Sequence, residues 1–236
     1  MHNITVIARR EFKSYFDSPV AYIVLTFFLI ITGYFFTSNL FLANQADLRT
    51  LWGIVPLLFV FFIPALSMKL LAEEKKTGTI ELLYTYPIKD SEIVVGKYLA
   101  ALGLIGVLIA CTIVYAFTVG SLGDMDTGQA VAGYIGLLLM AASYLAIGVF
   151  ASSVTDNQIV AFILALFISF FFFIADKILF FLPGAIAGIF EYLAIEYHFQ
   201  NVARGVIDSR NVLYFASVIF FALLMASHAL SRRRGD

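Results

Sequence analysis

Of the 236 residues, 61% are hydrophobic and 13% charged, against about a quarter charged in soluble domains, so the chain cannot cover itself with polar surface and belongs in a bilayer. A net charge of -1 gives no basic face for nucleic acid. One cysteine, Cys111, excludes an intramolecular disulfide and a thiolate metal cluster.

Residues 1–17 predict an amphipathic helix. Ile4, Ile7, Ala8, Phe12, Tyr15 and Phe16 follow helical spacing, and Arg9, Lys13 and Asp17 occupy another face. Basic residues opposite apolar ones suit the lipid headgroups. Glu11 sits badly on the apolar side, and Val6 lies off it. Charges run through this stretch without a short apolar core and small-residue cleavage site, so no signal peptide is expected.

Six spans are then expected, since a bilayer core needs about twenty apolar residues per helix. They cover residues 20–41, 51–71, 93–119, 130–150, 159–181 and 212–230. Pro56 and Pro64 should kink the second. Asp90 or Ser91 caps the third, which is long enough to project beyond the bilayer. With the first span entered from inside, eleven of the 15 Lys and Arg flank inner ends, which puts both termini and residues 73–91 in the cytoplasm.

That inner stretch is the long polar interruption of the chain. Glu73, Glu74, Lys75 and Lys76 lead into Gly78 or Thr79, either of which starts a helix. Ile80, Leu83 and Tyr84 fall at i, i+3 and i+4 and make one side apolar. Pro87 ends it. A two-turn helix is marginal alone and needs a partner surface.

On the other side, residues 183–211 are too apolar at first for a free loop, and residues 185–195 are too short to span; a re-entrant or interfacial segment is expected. Glu191, Glu196 and His198 gather there without the spacing of a His-Glu-x-x-His metal motif, and read as a wet loop.

The deep parts of the spans hold no ionisable residue. Lys69, Lys97 and His228 fall near inner ends, and Asp176 and Lys177 near an outer one. An ion-coupled carrier would hide a carboxylate, so no built-in use of an ion gradient is expected. No P-loop, nucleophile or zinc signature occurs, and the chain is not read as an enzyme. Its energy must come from a separate protein through the inner helix.

The chain resembles the permease subunits of the ABC-2 class, closest to the GldF-like, gliding-motility-associated branch. The resemblance rests on Arg9-Arg10-Glu11, Glu73-Glu74, Gly78-Thr79, Leu82-Leu83, Pro87 and Gly96-Lys97, and on residues 198–208 before the last span. It covers essentially the whole chain. It implies one all-α transmembrane domain of six helices, with residues 1–17 as elbow helix and a cytoplasmic coupling helix near 78–86. Glu73, Glu74, Gly78, Thr79, Ile80, Leu82, Leu83, Tyr84 and Pro87 would serve ATPase coupling. Arg9, Arg10 and Lys13 would mark the elbow. Residues 183–211 would be the re-entrant helices before the last span.

The implied partners are a nucleotide-binding ATPase carrying ATP and Mg, a second copy or related permease, and a membrane-anchored auxiliary subunit. No cofactor is expected in this chain. The implied place is the bacterial inner membrane. An ATP-driven exporter is the leading expectation; a mechanical transducer that moves no cargo is the alternative. A stand-alone carrier or channel is the third.

Overall fold

The computed structural model describes residues 2–42, 45–84, 88–123, 125–178, 184–206 and 208–235, and among these no strand occurs. Twelve helices follow in order: α1 (His2–Asp17), α2 (Pro19–Leu42), α3 (Arg49–Ser67), α4 (Ala72–Thr77), α5 (Thr79–Tyr84), α6 (Asp90–Cys111), α7 (Ile113–Leu122), α8 (Thr127–Val154), α9 (Gln158–Ile174), α10 (Gly184–Leu193), α11 (Ile195–Ala203) and α12 (Ser209–Gly235).

Among the described residues five stretches are long and apolar enough to cross a bilayer: Pro19–Leu42, Arg49–Thr77, Asp90–Leu122, Thr127–Val154 and Ser209–Arg232. The fifth expected span is the apolar α9, which has 17 residues and ends where Ala175 and Asp176 turn. That is short of the roughly twenty residues a perpendicular crossing needs. The rest of that expected span, residues 179–181, lies outside the described residues.

Two expected details change. The third span breaks at Thr112, whose hydroxyl donates to the Ile109 carbonyl at 2.6 Å and whose own carbonyl accepts from the Tyr134 hydroxyl at 2.8 Å. A threonine hydroxyl that bonds back into its own helix competes with the backbone ladder. The start of α6 is capped by neither Asp90 nor Ser91. Glu92 reaches back to the Lys89 N–H at 3.1 Å instead. Pro56 and Pro64 are buried inside the continuous helix α3.

Helix α8 is the hub. It packs on α12, α9, α3, α11 and α6, and 78% of its most apolar 18 residues are buried. Lipid tails are as apolar as leucine, so close packing rather than water exclusion holds spans together, and small residues permit it. A Cβ at Gly133 would lie 2.5 Å from the Trp52 ring, and one at Gly148 would lie 2.0 Å from Ser67 Oγ. By contrast only 22% of the corresponding stretch is buried in α2, and the same share in α12.

Residues 195–203 are not a wet loop. They form α11, which runs back along α8: Phe199 and Val202 meet α8 at Gly136, and Gly205 meets it nearer the start at Gln129. Glu196 and His198 are therefore buried, 4% and 2% exposed. The apolar positions Ile195, Phe199 and Val202 form one helical face, and packing it on α8 carries their polar neighbours inward.

Candidate functional site

The chain leaves α3 at Ser67, turns through residues 68–71 and restarts as α4. Restarting a helix leaves backbone N–H groups without partners. Ser152, on α8, accepts from the Leu71 and Ala72 N–H groups at 3.0 Å each and donates to the Met68 carbonyl at 3.1 Å. Lys75 donates to the Ser153 carbonyl beside it. The polar stretch is thus anchored to the end of α8.

Gly78 separates α4 from α5 in the left-handed region, φ +73°, a conformation glycine adopts without steric cost. Hydroxyls brace the turn: Thr77 Oγ1 donates to the Glu73 carbonyl at 2.9 Å and sits 2.9 Å from Thr79 Oγ1. Ile80 is 3% exposed and belongs to the intramolecular core. This corrects its expected role: its apolar surface is spent inside the chain, so an external partner would have to meet other parts of α5. Glu73, Lys76, Thr79 and Glu81 are exposed. The backbone of Leu82, Leu83 and Tyr84 is helical; Pro87 lies outside the described residues.

Beside α4 lies a feature that composition hides. Lys97 on α6 is 2% exposed, and its ammonium meets Glu74 Oε1 at 2.6 Å and Glu11 Oε1 at 3.2 Å. One buried cation therefore joins α1, α4 and α6. Glu11, misplaced on an apolar face by periodicity alone, is explained: the face it shares packs on α6, and Lys97 waits there. Glu74 is a paired group, tied to α1 through Lys97.

Helices α1 and α6 run side by side in the same direction. Asn3 Nδ2 donates to Glu92 Oε2 at 3.1 Å. A Cβ at Gly96 would meet Ile7 Cγ2 at 2.8 Å, and one at Gly103 would meet Phe12 at 3.1 Å. The apolar stripe of α1 is thus covered largely by protein, while Arg9, Arg10 and Lys13 stay exposed. Burial, then the Glu11 charge, pushes the Tyr15 hydroxyl up. A cleft of about 410 Å³ opens beside the charges, bordered also by Lys69 and Glu73.

The arrangement holds no nucleophile with a base. Among the described residues no group of three His, Cys, Asp or Glu could hold a metal. It combines a left-handed turn at Gly78, a braced short helix, and a buried cation that ties α4 to two other helices.

The description "ABC-2 family transporter protein" belongs to the family model that matches residues 5–231, nearly the whole chain. No curated protein matches the sequence.

Proposed function

The chain belongs to the ABC-2 family of transporter proteins, a multi-pass membrane component that works with an ATP-binding subunit and is not itself an ATPase, and from that premise we propose that it is the permease half of an ATP-driven exporter in a bacterial inner membrane. The reading keeps six spans, with α9 and the residues after it as the fifth, and both termini in the cytoplasm. It takes α1 as the elbow helix and α5 as the coupling helix seated on the ATPase. The motif from Glu74 to Pro87, with Gly96-Lys97 behind it, favours the GldF-like branch.

The observation that carries the reading is the Lys97 cluster. A soluble ATPase that displaces α5 displaces α4 through one glycine, and Glu74 passes that displacement to α6 and α1 through Lys97. A moving partner acts on a transporter only through contacts that differ between two states. The sparsely buried α2 and α12 leave apolar surface for lipid and for a second permease subunit.

The test is Leu83→Asp in the complex reconstituted with its ATPase. Transport-coupled ATP hydrolysis is expected to vanish while membrane insertion and the Lys97 cluster stay intact. Normal coupling in that variant would remove α5 as the docking element.

A further inference from the structure

Helix α11 brings into the protein what none of the spans holds at depth, a buried carboxyl. Phe199 and Val202 touch α8 at Gly136, nine residues past its first residue, and Glu196 lies about one turn deeper. At about 1.5 Å per residue this is well over 10 Å along α8 from its start. Glu196 is 4% exposed. Oε1 accepts a hydrogen bond from Gln200 Nε2 at 2.8 Å, and Oε2 has no partner among the described residues.

The surroundings supply one cation, and it is already paired. From α8 comes the fully buried Tyr144 hydroxyl, which also lacks a partner among the described residues and lies within electrostatic reach of Glu196 and Asp176. From the turn after α9 come Asp176 and Lys177. Lys177 is already committed to Asp176, Nζ to Oδ2 at 2.8 Å, and Asp176 Oδ1 is another buried oxygen without a partner. Helix α12 brings Tyr214, which is neutral, and α10 carries Glu191. The charges that act on Glu196 are those of Lys177 and Asp176, of opposite sign. With Glu196 ionised this group carries two anions and one cation, and the cation is the exposed member while the Glu196 carboxylate is buried. Such a site binds one further positive charge or becomes unstable.

We propose that Glu196 is a proton-binding site: in the packed state described here one proton rides on Oε2, and its loss loosens α11 from α8 and α9. A proton balances the site without needing the five or six oxygen ligands of a metal cation. It comes from water on the side where α11 ends, and it forms one O–H bond on the carboxylate. Burial first, and then the Asp176 charge, pushes the Glu196 carboxyl up, against the lowering effects of Gln200 and Lys177. This inference does not rest on ATPase docking.

The sign follows from proton counts. A carboxyl raised in the folded state holds its proton over a range where the unfolded chain has lost it. Stability therefore falls as pH rises from the ordinary carboxylate value of about 4.3 to the raised native one, and is level above that. The full-length chain in lipid nanodiscs, melted from about pH 5 to about pH 9, is expected to lose about 3–5 °C in Tm per pH unit inside that window. Glu196→Gln, which mimics the protonated form, is expected to remove that loss and to melt above the wild type at alkaline pH.

Parallel pH profiles in the two proteins would overturn the proposal. So would recovery of the wild-type Tm by sodium chloride, and not by potassium chloride, at alkaline pH, which would make the site a metal-cation site. Should Glu196→Gln fail to fold, infrared titration of the wild type still decides. A protonated buried carboxyl gives a distinct C=O band at neutral pH that disappears on alkalinisation, and no such band would sink the idea.

Discussion

Lys97 and Glu196 are buried to nearly the same degree, yet their surroundings differ in kind. Lys97 stands between two carboxylates, each about a quarter exposed at the edge of a cleft. Glu196 stands against a tyrosine, a glutamine and a second carboxylate whose lysine is already taken. In the first site charge is kept because opposite charges converge from three helices. In the second it is tolerated only if a proton removes it. A buried ionisable group is therefore a link when its counter-ions come from other elements, and a sensor when they do not.

The largest way to break this contrast is Lys97→Met. Methionine keeps the length of the side chain but leaves Glu11 and Glu74 facing each other with no cation between them. Removing one partner of a buried ion pair costs about 3–5 kcal/mol, and the partial exposure of both glutamates places this case at the low end. Thermal unfolding in detergent should show that loss. The triple variant Glu11→Gln, Glu74→Gln, Lys97→Met should recover most of it, since neutral groups need no counter-ion. If the triple is no better than the single, Lys97 matters for its packing and not for its charge. Coupled ATP hydrolysis should stay low in both, because neither retains the link.

A smaller effect isolates the anchor of that link. Ser152→Ala strands the Leu71 and Ala72 N–H groups and spares every charge. Loss of a cap of this kind costs about 1–2 kcal/mol. Hydrogen exchange should quicken at Leu71 and Ala72 while Lys97 keeps both carboxylates. Faster exchange spread along α6 as well would mean that the anchor and the charge cluster are one unit.

The long helices were legible because apolar runs and turn residues mark them locally. The inner helix beginning near Gly78 was legible for the same reason. What sequence periodicity does not carry is pairing between distant elements. Glu11 stood out as a misfit, and a misfit charge on an apolar face is the sign of a partner, but nothing local named Lys97. Ile80 fitted a helical stripe equally well pointing inward or outward, and only the tertiary fold chose inward. Glu196 and His198 lie in a polar run that reads as solvated. Three apolar residues of the same short helix, Ile195, Phe199 and Val202, were enough to bury them. The break at Thr112 depends on a hydroxyl from α8, again a distant partner.

The smallest expected effect sharpens the contrast most. Tyr144→Phe removes a fully buried hydroxyl that has no hydrogen-bond partner among the described residues. Deleting a polar atom that makes no bond in the fold should change stability by less than about 0.5 kcal/mol, whereas deleting a bonded one costs about 1 kcal/mol or more. This near-neutrality is expected at acidic pH, where Glu196 is protonated. At alkaline pH the same hydroxyl is a donor beside a carboxylate that has lost its proton, so removing it should deepen the alkaline loss of stability. A Tyr144→Phe profile that separates from the wild type only as pH rises would tie the hydroxyl to Glu196. A constant offset at every pH would place the hydroxyl in an ordinary packing role and leave Glu196 to respond through Asp176 and Lys177 alone.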